Sequence, residues 1–249
     1  MDVIAYLNRI DYAGSLEPSA DVLQELHHAH ILTVPFENLD IHLGRPIVLN
    51  EEHLFDKIVR HRRGGFCYEL NGLFAALLQE LGFEVDLLSA GVYDNGIFGP
   101  EFDHLILRVR LEEDWLADVG FGDSFRKPLR LYETGKQVQA SVPYRIEHQS
   151  PMWKLASMDG LGEWRSSYHF SLKSRTLSDF RDMCHYHQTS SDSLFTQKRL
   201  CTRATLDGRI TLSEMRLIIT KDGQRTEQTL ADEEEYLSAL DHHFGIKMS

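Results

Sequence analysis

Cysteine is scarce: 249 residues hold three, Cys67, Cys184 and Cys201. They are odd in number and far apart, which excludes a disulfide framework and any zinc-type spacing and makes a reducing cytoplasm the expected compartment. Basic charge is short too. Against 38 acidic residues stand 26 Lys and Arg, a net charge of -12. That argues against nucleic acid or an anionic membrane as main partner, while leaving room for one local basic pocket. No apolar run approaches the roughly 18 residues of a membrane span. The start, "MDVIAYLNRIDY", lacks the basic head, apolar core and cleavage site of a signal peptide. Repeats, low-complexity tracts and Pro/Gly/Ser linkers are absent, so a compact chain is expected. Its 42% hydrophobic and 26% charged residues are ordinary for a globular protein. The length suits one large domain or two to three subdomains around a shared core.

The first eighty residues read as helical. Ser19 caps "ADVLQELHHAHIL", with Val22, Leu23, Leu26 and Ala29 on one face, and Pro35 ends it. "VPFENLDIHLGRPIVLN" reads as an extended loop, and Asn50 caps "EEHLFDKIVRHR". "CYELNGLFAALLQELG" carries Leu70, Leu73, Phe74, Leu77, Leu78 and Leu81 at helical spacing up to Gly82. From Phe83 the pattern turns β-like: "FEVDLLSAGVY", "FDHLILRVRL", "WLADVGF", then "YRIEH", "SYHFSL", "RLCTRATL", "RITLSEMRLIIT" and "RTEQTL". A helix is expected in "TLSDFRDMCHYHQ" and another in "DEEEYLSALDHHFG". Helices, then many strands, then a closing helix indicate an α+β fold with a twisted antiparallel sheet or small barrel.

A lone cysteine is more often a small core residue than a nucleophile. Cys67, in "RRGGFCYELN", has three features that favour chemistry. It opens a helix, where unpaired N–H groups and the dipole favour a thiolate. Gly64 and Gly65 would let the chain turn sharply, leaving space over the thiol and backbone donors for an oxyanion. Arg62 and Arg63 add positive potential.

A nucleophile needs a base, and thirteen histidines compete. His27, His28 and His30 are expected at solvent or a domain seam, His185 and His187 alternate in a polar stretch, and His242 and His243 sit in the last helix. Their spacing offers no metal-ligand set. His104 alternates with Leu105, Leu107 and Val109, which puts it on the opposite strand face with Ile106 and Arg108, away from the apolar core. Asp118 follows in a hydrophobic run where an unpaired carboxylate is costly. Direct pairing would centre the turn near Leu111, yet the turn signal is "EED" at 112–114; a bulge or slip would reconcile them. A His–Asp pair is permitted, and the spacing alone does not establish it.

Six segments, "VPFENLD" (34–40), "RGGFCYELN" (63–71), "DHLILRV" (103–109), "LADVGFG" (116–122), "SSDSLFTQKRLCT" (190–202) and the terminal "ALDHHFGI", together resemble the arylamine N-acetyltransferases of prokaryotic type over nearly the whole chain. The resemblance implies a helical part, a β-barrel and a C-terminal α/β lid, the first two forming a cysteine-protease-like core. The expected boundaries are 1–82, 83–187 and 188–249. It implies a triad of Cys67, His104 and Asp118, and acetyl transfer from acetyl-CoA to an arylamine or arylhydrazine by a ping-pong route through acetyl-cysteine, without a metal. Arg63 with Glu37 and Asn38 would hold the cysteine loop, and Phe36, Phe121 and Phe195 would wall the acceptor pocket. Arg126, Lys127, Lys198 and Arg199 are candidates for CoA. Phe66 stands where many members carry arginine. Cys184 and Cys201 are expected to be structural. A thioesterase, amide synthase or other acyl transfer at the same triad, or a non-catalytic binding protein of this fold, are the competing readings.

Overall fold

The computed structural model describes residues 1–140 and 142–248. Its N-terminal part is helical: α1 (Val3–Arg9), α2 (Ala20–Thr33), α3 (Leu39–His42), α4 (Glu51–Phe55), continued by a π-turn at Asp56–Arg60, and α5 (Cys67–Glu80). Ser19 caps α2, accepting from the Val22 N–H at 3.3 Å. Helix α2 buries Val22, Leu23 and Leu26 as its spacing predicts, and His27 and His30 with them. His27 lies at the seam with the barrel, meeting the Asp118 N–H and the Arg126 carbonyl, whereas His30 departs from the expectation and sits within the helical part, its Nδ1 2.9 Å from the Tyr6 hydroxyl. "VPFENLDIHLG" is not wholly extended: β1 (Phe36–Glu37) precedes the single turn of α3.

The long antiparallel sheet comprises β2 (Glu84–Asp94), β3 (Ile97–Phe98), β4 (His104–Arg110), β5 (Asp114–Ala117), β6 (Leu129–Arg130), β7 (Gln137–Gln139), β8 (Val142–Gln149), β9 (Met152–Met158) and β10 (Trp164–Arg175). Strand order is β6-β5-β4-β2-β10-β9-β8-β7, with β3 pairing the end of β2. The edges β6 and β7 are joined by side chains. The Gln137 amide exchanges bonds of 2.8 and 3.0 Å with the Arg130 backbone, and Gln139 does the same with Lys127 at 2.9 and 2.7 Å. Two glutamines thus do the work of a strand ladder and bring the sheet close to a barrel.

Strand β4 is buried on both faces. Leu105, Leu107 and Val109 pack with Leu70, Leu73 and Phe74 of α5, whereas Ile106 joins Leu88, Leu116 and Tyr168 inside the barrel. Each such side chain contributes roughly 1.5–3 kcal/mol by leaving water. His104 therefore faces a second core, not solvent.

After a 3-10 turn, α6 (Arg181–Thr189) and α7 (Leu194–Gln197) lead to a second sheet: β11 (Leu200–Thr205), β12 (Gly208–Ser213), β13 (Arg216–Lys221) and β14 (Gln224–Thr229). "RITLSEMRLIIT" is two strands, broken where Glu214 adopts φ 51°. Helix α8 (Glu233–Phe244) packs Tyr236, Leu240 and Phe244 on Cys201, Leu212 and Leu217. The first strand of this sheet comes from far upstream: β1 pairs with β11, Phe36 opposite Thr202 and Glu37 opposite Cys201.

Candidate active site

The loop before Cys67 is clamped between β1 and α5. A Cβ on Gly64 would collide with the Pro35 carbonyl oxygen, and the Gly65 carbonyl accepts from the Glu37 N–H at 2.9 Å. The glycines thus admit a neighbouring strand, not a substrate over the thiol as the sequence suggested.

Beneath the loop lies a buried ionic cluster. Arg63 donates to Glu37 through Nε at 3.0 Å and to Asp40 through Nη2 at 3.0 Å. Lys57 reaches Asp40 and Glu69, each at 2.8 Å. Glu69 accepts from the Phe66 N–H at 3.1 Å, fixing the helix start. Burial, with help from Glu37, pushes the Glu69 carboxyl up to about 7 against the opposing pull of Lys57. Asn38 takes a different place from the one expected. Its amide donates to the carbonyls of Phe195 at 2.9 Å and Lys198 at 2.7 Å and accepts from the Leu200 N–H at 2.8 Å. It ties down the C-terminal segment, not Arg63.

Cys67 is the first residue of α5 and is buried, as are Cys184 and Cys201. Burial pushes its thiol well up; the Leu105 backbone opposes this, while the charges of Asp118 and Asp103 add to it. Cys67 and His104 line one cleft of about 1300 Å³.

Strands β4 and β5 pair in regular register, Leu107 with Ala117 through Arg110 with Asp114, around a three-residue turn. With that parity His104 and Asp118 share a face as diagonal neighbours, so the bulge or slip anticipated from the sequence is unnecessary. His104 Nε2 is 2.8 Å from Asp118 Oδ2, which leaves Nδ1 as the nitrogen not held by the aspartate. Asp118 Oδ1 accepts from Asn71 Nδ2 and from the Gly120 N–H, each at 2.9 Å. Burial alone would raise this carboxyl; His104, Asn71 and Gly120 together hold it below the usual range. Asn71, one turn beyond Cys67 on α5, also donates to the Leu105 carbonyl at 2.7 Å and accepts from the Val119 N–H at 2.9 Å. A Cβ on Gly120 would stand 2.8 Å from the Cys67 Cα, so only glycine lets this loop reach the helix start.

His27 escaped sequence reasoning. Its Nε2 accepts from the Asp118 N–H at 3.2 Å, and Nδ1 faces the Arg126 carbonyl at 3.0 Å. Those partners fix the neutral tautomer with hydrogen on Nδ1. Its ring stacks on Phe125 at 5.7 Å, and burial pushes its pKa down to about 4. The only signal in the sequence was its helical spacing with Leu23.

Phe36, Phe121 and Phe195 all line the cleft, and of the four basic candidates Lys198 does. Arg126 donates instead to the carbonyls of Thr205, Leu206 and Gly208 at 2.7–3.1 Å. Arg199 pairs with Glu233 at 2.8 Å and lies over the Tyr236 ring at 4.1 Å. Neither they nor Lys127 are among the described residues lining the cleft. The guanidinium groups are consumed by the C-terminal sheet and its helix.

A buried thiol at a helix start, an imidazole held by a carboxylate and a large aromatic-walled cleft are the parts of a thiol-dependent acyl-transfer centre. Residues 19–249 match the N-acetyltransferase family. The chain is 34% identical to a chicken arylamine N-acetyltransferase, a pineal gland isozyme, over all of this chain and 95% of that protein. The arylamine N-acetyltransferase structure from Mycobacterium tuberculosis superposes with a TM-score of 0.91 at 35% identity, covering 98% of this chain and 94% of that one. The Mycobacterium marinum enzyme in complex with CoA gives 0.91 at 34%, covering 98% and 93%. The chain belongs to the arylamine N-acetyltransferase family, and with it to the acyltransferases.

Proposed function

We propose that this chain transfers an acetyl group from acetyl-CoA to an aromatic amine or hydrazine in two half-reactions, with Cys67 as carrier. The observation that carries the reading is the placement of Cys67 and His104 on one cleft, with His104 Nε2 bound to a carboxylate that three donors keep ionised. Burial favours the neutral thiol, so proton transfer to His104 Nδ1 accompanies attack on the thioester rather than preceding it. Asp118 stabilises the imidazolium that forms and fixes the ring's orientation. The sulfur adds to the carbonyl carbon, the oxyanion meets N–H groups of the first turn of α5, and CoA leaves with the proton from His104. In the second half-reaction the amine, uncharged and with its lone pair free, attacks the acetyl-thioester. His104 takes its proton and returns it to the sulfur.

Phe36, Phe121 and Phe195 form flat walls for the aromatic acceptor. Of the four basic candidates Lys198 is the one that lines the cleft, which supports it as the partner of a CoA phosphate, and the CoA complex of the Mycobacterium marinum relative supports such a donor. The same reading divides the chain at 82 and 187, with nucleophile, base and lid on successive parts. Helices up to Glu80 and strands from Glu84 support the first division, although β1 belongs to the C-terminal sheet.

Incubation with acetyl-CoA, with and without an aromatic amine, tests the reading through free CoA. Amine-dependent CoA release is expected. Brisk release without amine would replace transferase by thioesterase, and no release with any amine would remove the activity.

A further inference from the structure

A second histidine–carboxylate pair lines the same cleft. His187 Nε2 stands 3.3 Å from Asp103 Oδ1, and on the other side of the ring Nδ1 is 3.1 Å from the Ser193 hydroxyl. His187 is 6% exposed, yet its Nε2 makes no hydrogen bond. The contact to Asp103 is close in distance and wrong in direction. Nδ1–H toward serine would leave an Nε2 lone pair facing a carboxylate, so the favoured tautomer has Ser193 donating to Nδ1 and the hydrogen on Nε2. A buried donor and a carboxylate acceptor thus sit side by side, unsatisfied by one another.

The surroundings are shaped for a ring. The His187 imidazole lies 5.1 Å from the Phe195 ring and 6.1 Å from Tyr68, and Phe195 lies 6.1 Å from Phe36. Asp103 immediately precedes His104, and its charge is felt at the Cys67 thiol. The pair therefore shares the cleft with Cys67 and His104 and lies within electrostatic reach of the thiol. Asp103 Oδ2 is held by the Val92 N–H at 3.0 Å, which leaves Oδ1 for a ligand.

Resting on the transferase reading above, we infer that Asp103 and His187 form a polar anchor in the acceptor pocket, selecting aromatic amines whose ring carries a neutral group that both accepts and donates a hydrogen bond. A ring hydroxyl is the simplest such group: it accepts from His187 Nε2–H and donates to Asp103 Oδ1. A methyl of the same size leaves both protein groups unpaired, which is the situation that makes such sites selective. A carboxylate substituent meets Asp103 with like charge, and Asp94, Asp123, Asp192 and Glu214 line the cleft as well, against Lys198 and Arg209.

The test uses the full chain, acetyl-CoA and three para-substituted anilines: para-aminophenol, para-toluidine and para-aminobenzoate. The kcat/KM for para-aminophenol is expected to exceed that for para-toluidine by about tenfold or more, with para-aminobenzoate the poorest. In His187→Phe the first ratio is expected to fall to near one. Equal wild-type rates on para-aminophenol and para-toluidine overturn the inference without any variant having to fold. If His187→Phe instead slows acetylation of Cys67 by acetyl-CoA and leaves the ratio intact, the pair serves the donor's amide groups and the inference is overturned. Absence of acetyl on Cys67 and of turnover with all three amines overturns the transferase reading, and this inference with it.

Discussion

Two histidine–aspartate pairs face one cleft, and they are built differently. Asp118 is buried, takes donors from Asn71, Gly120 and His104, and meets the imidazole at 2.8 Å. Asp103 is partly exposed, takes one backbone donor, and meets its imidazole at 3.3 Å without a hydrogen bond. The first imidazole has a nitrogen, Nδ1, not held by its aspartate on a cleft that Cys67 also lines, whereas the second has its other nitrogen on a serine hydroxyl already engaged with the Phe195 N–H at 3.2 Å. A carboxylate with both oxygens already accepting is placed to orient. One with an oxygen to spare can recognise. On this account the same two residue types divide into positioning and selection according to how many donors each carboxylate receives, one from the backbone in both cases and two more from side chains at Asp118 alone.

The largest expected effect comes from breaking the committed pair. Asp118→Asn loses the charge that stabilises the imidazolium, and kcat should fall by a factor on the order of 10² to 10⁴ with the fold retained. Its stability cost has a defined pH dependence. The native pKa lies below the ordinary value of 3.8, so the ionised group stabilises the fold above that value and ceases to as pH falls through the native one. Urea unfolding should show the gap between wild type and Asp118→Asn fully open near neutral pH and narrowing only as pH falls below 3.8.

Next comes the support behind that pair. His27→Leu orphans the Asp118 N–H and the Arg126 carbonyl, at about 1–3 kcal/mol for each unpaired group, and lets Asp118 shift, lowering kcat by about tenfold or more. His27→Gln can keep both bonds and should recover most of the rate. The glutamine variant also isolates a proton. Since the native His27 pKa is about 4 against 6.5 when unfolded, the unfolded chain binds a proton between those values that the native one does not. Stability attributable to this group therefore falls as pH drops from 6.5 toward 4, at up to about 1.4 kcal/mol per pH unit. His27→Gln should show a correspondingly flatter profile in urea titrations. A profile parallel to wild type would mean that His27 takes up its proton in the native protein over the same pH range as in the unfolded chain.

The smallest effect is expected at the uncommitted pair. Asp103→Asn can keep the Val92 N–H bond through its carbonyl, so stability should change by no more than about 1 kcal/mol. The preference for para-aminophenol over para-toluidine should shrink several-fold. A loss of rate comparable to Asp118→Asn, uniform across acceptors, would erase the distinction between the two pairs.

Much of this was legible in the residues. The period of "CYELNGLFAALLQEL" placed Cys67 at the start of α5, and the alternation in "DHLILRV" gave β4. Even parity between His104 and Asp118 already permitted a shared face; what the sequence could not show is that a diagonal offset suffices where direct opposition seemed to need a bulge. Groups defined by distant partners stayed hidden. Lys57 and Asp40 look like surface charges until β1 and the Cys67 loop enclose them. Arg126 looks like a free cation until three carbonyls from the β11–β12 hairpin surround it. His27, on an amphipathic helix, and His187, in a polar stretch, stayed without a role because nothing in their own segments reveals a backbone N–H or a carboxylate arriving from the barrel.

The central claim is that Cys67, among three buried cysteines, carries the acetyl group. Intact-protein and peptide mass spectrometry after exposure to acetyl-CoA tests it directly. The prediction is one acetyl group per chain, located on Cys67, absent in Cys67→Ala, and discharged when an aromatic amine is added. Turnover with Cys67 unmodified, or in Cys67→Ala, would contradict the account.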